Sequence, residues 1–476
     1  MKEMEKIKYI ILLGFFALIN SCTSNYLDTP QPTDSLAPDV VYSSYEGAKA
    51  HIAGILRRTR GQFTDYDAGN VGSIYFAREN KGNISINSGS WFQFDYANEN
   101  REPNFRRTVF SWRFPYYLIN RINDVIEGVS ASTALSPDQK NELLGQAYTM
   151  RAFFYFELSL EFQHTYNFDP NLPAPPIYTS SKVLEGAPMS TMKDLYAFIT
   201  NDLEKAIQIG SANRGDKSYF NKNVSYAVAA RVYQVMGNWG KAKDYATLAY
   251  GGNPTAVLSP EFYQSGFDDM NKGNEWLLAD PQQSDQSNYY YLAPHGFYTR
   301  TESAYNNTYI NKSFVALYSA TDVRNQFAKT TATDYRMWYT KKFKFSFTAA
   351  FAIIRTPEMI LIQAEAMYKL GDENGAHDLL YALQKNRDPQ AVKSSTTGNA
   401  FYEEILLERQ KELYGEIGVE WYDAKRLRRG LKRDSWHRLN MASNPLLPDD
   451  KRFFLKIPQT ELDANPNIPQ DINLSR

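Results

Sequence analysis

Ser225–Pro254 reads SYAVAARVYQVMGNWGKAKDYATLAYGGNP. Tyr226, Ala230 and Tyr233 recur at helical spacing as large, small, large. Ala242, Ala249 and Pro254 follow as small, small, proline. Gly237 and Gly240 fall between the two runs, where one helix ends and the next begins. Small side chains at such places let two antiparallel helices approach closely, so the segment predicts a tight helix–turn–helix pair.

A second copy starts at Arg355. Thr356 caps, Pro357 takes the first helical position, and Ile360, Ala364 and Met367 repeat the first-helix frame. Ala376, Leu380 and Leu383 repeat the second, with Pro389 one place off. This is the frame of a tetratricopeptide repeat. Leu143–Phe162 (LLGQAYTMRAFFYFELSLEF) carries apolar residues on more than one side, so it must be sandwiched between other helices. Arg151 lies within that stretch, and such an arginine predicts a carboxylate partner from a neighbouring helix rather than a catalytic role.

Further helices are expected over Tyr45–Arg60 and Arg113–Gly128, and from a Ser190/Thr191 cap to Ile209. Asp169–Pro188 is a proline-rich connector. The expected fold is mostly α: a tetratricopeptide-like helical-repeat scaffold with long loop-rich insertions and a little β. Repeat pairs are placed near 45–129, 143–209, 225–254 and 355–389, and insertions near 61–104 and 253–354. The β contribution is the alternation of Tyr339, Phe343, Phe345 and Phe347 with Thr340, Lys342, Lys344 and Ser346.

Composition narrows the function. The net charge of −1 supplies no field for nucleic acid or anionic lipid. The 34 Tyr, 28 Phe and 7 Trp suit wide helix contacts or an amphipathic binding surface. Cys22 is the single cysteine, which excludes disulfides within the chain and thiolate metal clusters. It follows a lysine-flanked apolar run, Tyr9–Ile19, too short to span a bilayer. That pattern resembles a bacterial lipoprotein signal (residues 1–21) with Cys22 lipidated and residues 22–38 as a tether. An ordinary secretory signal is the other reading. The five histidines show no ligand spacing, and no phosphate-binding, dinucleotide or nucleophile-elbow motif occurs. Asp65, Asp67 and Gly69 do not complete a calcium loop. No cofactor or metal is expected. The basic run Lys425, Arg426, Arg428, Arg429, Lys432 and Arg433 predicts a solvated helix face or ion pairs to Glu408 and Glu412.

Taken in order, several motifs carry a family resemblance. They are Cys22 with Tyr26–Thr29, the Gln146–Phe162 helix before a proline-rich loop, and Arg355–Ala366. Glu408-Arg409 with Glu412-Leu413, Trp421-Tyr422-Asp423 with Lys425-Arg426, and Ile457-Pro458 through Asn465-Pro466-Asn467 complete the set. Across essentially its whole length, with residues 39–476 as a single domain, the chain resembles the SusD/RagB-type outer-membrane lipoproteins. Glu420 departs from that pattern, where arginine is common, and Ile417-Gly418 stands where a plain glycine is usual. The resemblance implies a lipid-anchored protein of the outer-membrane cell surface. It would bind oligosaccharides, or in some members peptides, and hand them to a SusC-type TonB-dependent transporter; no catalysis and no nucleic acid are implied. A glycan-processing enzyme and a ligand-free scaffold remain as alternatives.

For the ligand site, parity in Trp91–Tyr96 and Arg336–Phe347 places Trp91 and Trp338 on the polar side of alternating stretches, within loop-rich insertions. An indole there offers a stacking face for a pyranose ring. Tyr75, Arg78, Asn80, Tyr290 and Tyr298 are the expected companions. The other reading of the two tryptophans is that they cover the edge of the fold or meet the transporter.

Overall fold

The computed structural model describes residues 38–60, 67–281, 293–300, 304–438 and 444–476. Cys22 and Tyr290 lie outside the described residues, as does Asp65.

The longer helices are α1 (Tyr45–Arg60), α2 (Val71–Glu79), α3 (Arg106–Ala131), α4 (Pro137–Phe162), α5 (Met192–Ile209) and α6 (Lys222–Met236). There follow α7 (Trp239–Tyr250), α8 (Thr356–Lys369), α9 (Glu373–Arg387), α10 (Gly398–Leu413), α11 (Val419–Arg426) and α12 (Gln459–Ala464). Among the described residues eight short strands pair in twos: β1 (Ser85–Asn87) with β5 (Thr308–Ile310), and β2 (Pro173–Ala174) with β3 (Ser190–Thr191). The other pairs are β4 (Trp276–Asp280) with β8 (Phe351–Arg355) and β6 (Phe327–Lys329) with β7 (Trp338–Thr340). The fold is mostly α with a little β.

Helices α1 and α3, α4 and α5, α6 and α7, and α8 and α9 pack in pairs, and each pair leans on the next. The α7–α8 contact closes the array across the long insertion between them. Ala230 in α6 and Ala364 in α8 are fully buried. Gly237 ends α6 in the left-handed region at φ 71°, which a side chain would resist. Helix α4 is longer at its start than the apolar run indicates, because Ser136 and Gln139 form a reciprocal cap. From Leu143 onward it is buried on nearly every side, and the Arg151 guanidinium grips Asp202 of α5 through two bonds of 2.7 and 2.9 Å. Helix α3 starts earlier than expected, at Arg106, and runs through Pro115. In α8 the cap position is Arg355, and Thr356 is already helical.

Beside the array lies a second kind of interior. Arg355 bonds Glu416 at 2.7 Å, Glu412 at 3.0 Å and Glu275 at 3.1 Å. Arg387 shares Glu412 and Glu275, and Arg324 holds Glu408, Glu412 and Asp322. The side chains of Arg355, Arg387, Glu275 and Glu412 are wholly shielded from water. The expectation for the basic run is corrected here, because Glu408 and Glu412 are taken by these arginines from elsewhere in the chain. Arg426 is buried and pairs with Asp423 and Glu365 instead. Arg428 pairs with Asp449 and Arg429 with Glu403, while Lys425 and Arg433 turn inward to backbone carbonyls.

Candidate functional site

The strand pairs β1–β5 and β6–β7 adjoin through β5 and β7. Alternation along β5 sends Thr308 and Ile310 into the core and leaves Tyr309 half-exposed. In β7, Thr340 is buried with its hydroxyl 2.9 Å from that of Tyr414, and Tyr339 takes the opposite face. Between the outward tyrosines lies Arg300, its guanidinium 4.2 Å from the ring centroid of Tyr309 and 5.3 Å from that of Tyr339. Arg300 donates to the carbonyls of Tyr298, Thr299 and Thr308, which fixes its plane against the strand. Tyr335 meets Tyr309 edge-on at 6.4 Å, and the exposed Arg336 lies over Tyr335 while held by Asp334.

The same surface continues to Trp91. Asn307, two residues before Tyr309, donates to the carbonyls of Trp91 and Gly89. The half-buried Trp91 ring carries Arg106 at 5.3 Å and Tyr305 edge-on at 6.0 Å. Trp338 is half-buried too, with Lys329 at 5.1 Å from its ring and its Nε1 buried without an acceptor among the described residues. The Tyr309, Tyr339 and Trp91 rings present flat apolar faces edged by arginine side chains, whereas Trp338 lies on the Thr340 side of β7. That is binding chemistry for a ligand with alternating apolar and hydroxylated faces.

The parity argument needs correction at both tryptophans. Residues 93–96 form a helical turn, entered through Phe92 in the left-handed region at φ 67°, so Trp91–Tyr96 does not alternate as a strand. Near Trp338 the strand ends at Thr340 and the expected two faces do not persist: Thr340 and Lys342 are buried, the Lys342 ammonium 2.7 Å from Glu416, while Arg336 and Lys344 are exposed and Phe343 and Phe345 are buried too. Burial lowers the Lys342 pKa to about 8 and the facing carboxylate works against that fall. The residue that the strand turns outward is therefore Tyr339, which sequence reasoning grouped with the apolar row.

Four expected companions are interior residues, not a ligand platform. Helix α2 is buried along its whole length. Arg78 bonds Glu161 at 2.6 Å and Glu157 at 2.7 Å, and the Tyr75 hydroxyl donates to Glu157 at 2.9 Å. Asn80 donates to the Phe76 carbonyl, and the Tyr298 hydroxyl is engaged by Ser85. Sequence reasoning missed Tyr305, Tyr309 and Tyr335. Their only signal was the tyrosine-rich composition of the insertion.

Two grooves, of about 530 and 600 Å³, run beside α3 and contain none of these residues. No described helix is long and apolar enough to cross a membrane.

The chain matches two family models. One, described as starch-binding and associating with the outer membrane, spans residues 26–234; the other, the SusD family, spans residues 216–473. Among curated proteins none matches. A SusD-like carbohydrate binding protein from Bacteroides vulgatus is 23% identical with a TM-score of 0.81, covering 90% of this chain and 98% of its own. A SusD superfamily protein from Bacteroides thetaiotaomicron is also 23% identical, with a TM-score of 0.78 and coverage of 90% and 99%. Surface glycan-binding protein A from Bacteroides thetaiotaomicron, solved with laminarihexaose, is 15% identical with a TM-score of 0.68 over 88% and 97%. This chain belongs to the SusD family.

Proposed function

We propose that this SusD-family chain is an outer-membrane lipoprotein that binds oligosaccharide on the Tyr309–Tyr339 surface and delivers it to a SusC-type TonB-dependent transporter. Family membership and the match to a starch-binding, outer-membrane description support the reading, as does a fold shared with a protein solved on a glucan chain. The observation that carries it is Arg300, fixed between two outward tyrosines so that stacking faces and donors lie side by side. The surface needs no chemical step: it positions a sugar ring by stacking and by hydrogen bonds to its hydroxyls.

The test is calorimetry of the purified protein against laminarihexaose, a malto-oligosaccharide, host-type glycans and short peptides. Saturable binding of a glycan that is recovered intact supports the proposal. Binding of a peptide alone moves the ligand class, and recovery of a cleaved sugar replaces binding with catalysis. The anchor is tested separately: Cys22→Ala releases the protein in soluble form, and persistent partitioning with outer membranes in a strain lacking the transporter contradicts the lipid anchor.

A further inference from the structure

Where α2 meets α11 and the C-terminal segment, buried cations outnumber the carboxylates that face them. The Trp421 indole has the Arg78 guanidinium 4.9 Å from its ring centroid, the Lys425 ammonium at 4.8 Å and the Lys81 ammonium at 5.9 Å. All four side chains belong to residues no more than 7% exposed. One carboxylate, Glu161, faces all three cations; their charges hold it below the usual carboxylate range although burial pulls the other way. Arg78 already occupies that carboxylate at 2.6 Å and a second one, Glu157, at 2.7 Å, so two carboxylates stand against the three cations. The other carboxylate that faces Lys81, Asp95, is spent on Arg107 at 3.1 and 3.2 Å.

The lysines are left with backbone. Lys425 donates to the carbonyls of Leu160 and Phe453, and Lys81 has a single 3.5 Å bond to the carbonyl of Arg452. Arg101 and Arg476 flank the Phe454 ring at 5.5 and 5.1 Å, and they too reach carbonyls. Meanwhile Arg78 Nη1, Arg107 Nη1, Arg101 Nη2 and Trp421 Nε1 are buried with no acceptor among the described residues. Every unpaired atom of these side chains is a donor. Burial lowers the pKa of both lysines, and neighbouring cations, Arg107 and Arg101 for Lys81, Arg78 and Lys81 for Lys425, lower it further. A charge buried without a partner is costly, and water alone, being both donor and acceptor, does not cancel a one-signed deficit.

We propose that a small inorganic anion of single charge, of the size of chloride, is bound among Lys81, Lys425 and Trp421. It supplies the missing acceptor for the Arg78 and Trp421 N–H groups and ties α2 and α11 to the C-terminal segment. Because all four residues are at most 7% exposed, the ion proposed is a small one.

The test uses the purified full-length protein crystallised in bromide. An anomalous bromide peak between Lys81, Lys425 and Trp421 is expected, and its absence overturns the proposal in favour of a neutral lysine or water. In solution, thermal unfolding is compared in sodium chloride and sodium gluconate at matched ionic strength. The expected result is a higher Tm in chloride that Lys81→Gln abolishes. Equal Tm values for the wild type in both salts, or a bromide peak retained in Lys81→Gln, overturn the assignment. Should Lys81→Gln fail to fold, Lys425→Gln serves as the second variant, and the wild-type bromide peak decides independently.

Discussion

Ala230 in α6 and Arg355 at the foot of α8 are equally hidden from water, yet their surroundings share nothing else. Around Ala230 the interior is apolar, and close helix approach is allowed by the smallness of the side chain. Around Arg355 it is ionic, assembled from carboxylates just before β4, on α10 and in the loop after α10. The first interior is specified by residues three and four apart. The second is specified by residues that meet only after the chain has folded. Substitutions should therefore fail differently in the two regions: by overpacking in the array, by stranded charge beside it.

The largest effect is expected from Glu412→Ala. It leaves Arg355, Arg387 and Arg324 short of a shared carboxylate in a water-free site, at a cost of about 3–5 kcal/mol. Urea unfolding checks it, and a loss as small as that of an exposed pair would show that the network is not the second region's support. Those three arginines hold Glu412 far below the usual carboxylate range against the effect of burial. Its contribution is therefore present above the unfolded-state value near 4.5 and is lost as pH falls toward the folded value.

A sharper test of the ionic side has the opposite sign. Glu420 accepts the backbone N–H groups of Asn83 and Ile84 at 2.7 and 2.8 Å, just before β1. Burial pushes its pKa to about 7 despite these bonds and the charge of Arg433, and Asp434 adds to the rise. Glu79, also near 7, is raised by burial and then by Glu420 itself. A carboxyl raised in the folded state stabilises most below pH 4.5 and loses that contribution as pH rises through 7. At about 1.4 kcal/mol per pH unit, the wild type should lose about 2–3 kcal/mol between pH 5 and pH 8 through this site. Glu420→Gln keeps an acceptor for both N–H groups and removes the charge, so its stability should be flatter over that range. Parallel profiles for the two proteins would contradict this.

On the apolar side, Ala230→Phe and Ala364→Phe should each cost about 1–3 kcal/mol by overpacking, with little pH dependence. Wild-type stability in both would contradict the close helix approach.

The same contrast explains what the sequence discloses. The bounds of α1 and the Thr191 cap of α5 are legible because each depends on neighbours a few residues away. Helix α2 is not. Buried on all sides, it shows no amphipathic stripe, and it sits between glycine- and asparagine-rich stretches that read as loop. In β7 the alternation is visible but its sense is not. Two residues past its end, Lys342 faces inward, where Glu416 and the carbonyls of Glu412 and Tyr414, distant in sequence, meet it. Hence Trp338 rather than Tyr339 was the expected platform residue. Tyr309 was hidden in the same way, since three residues of strand give too short a pattern to show a face.

The smallest expected effect tests the central claim most directly. With the glycan that the wild type binds, calorimetry of Tyr309→Ala and Tyr339→Ala should show a loss of about 1–2 kcal/mol in affinity for at least one variant, with unfolding midpoints preserved. Unchanged affinity in both, from normally folded proteins, would contradict the assignment of this surface as the ligand site.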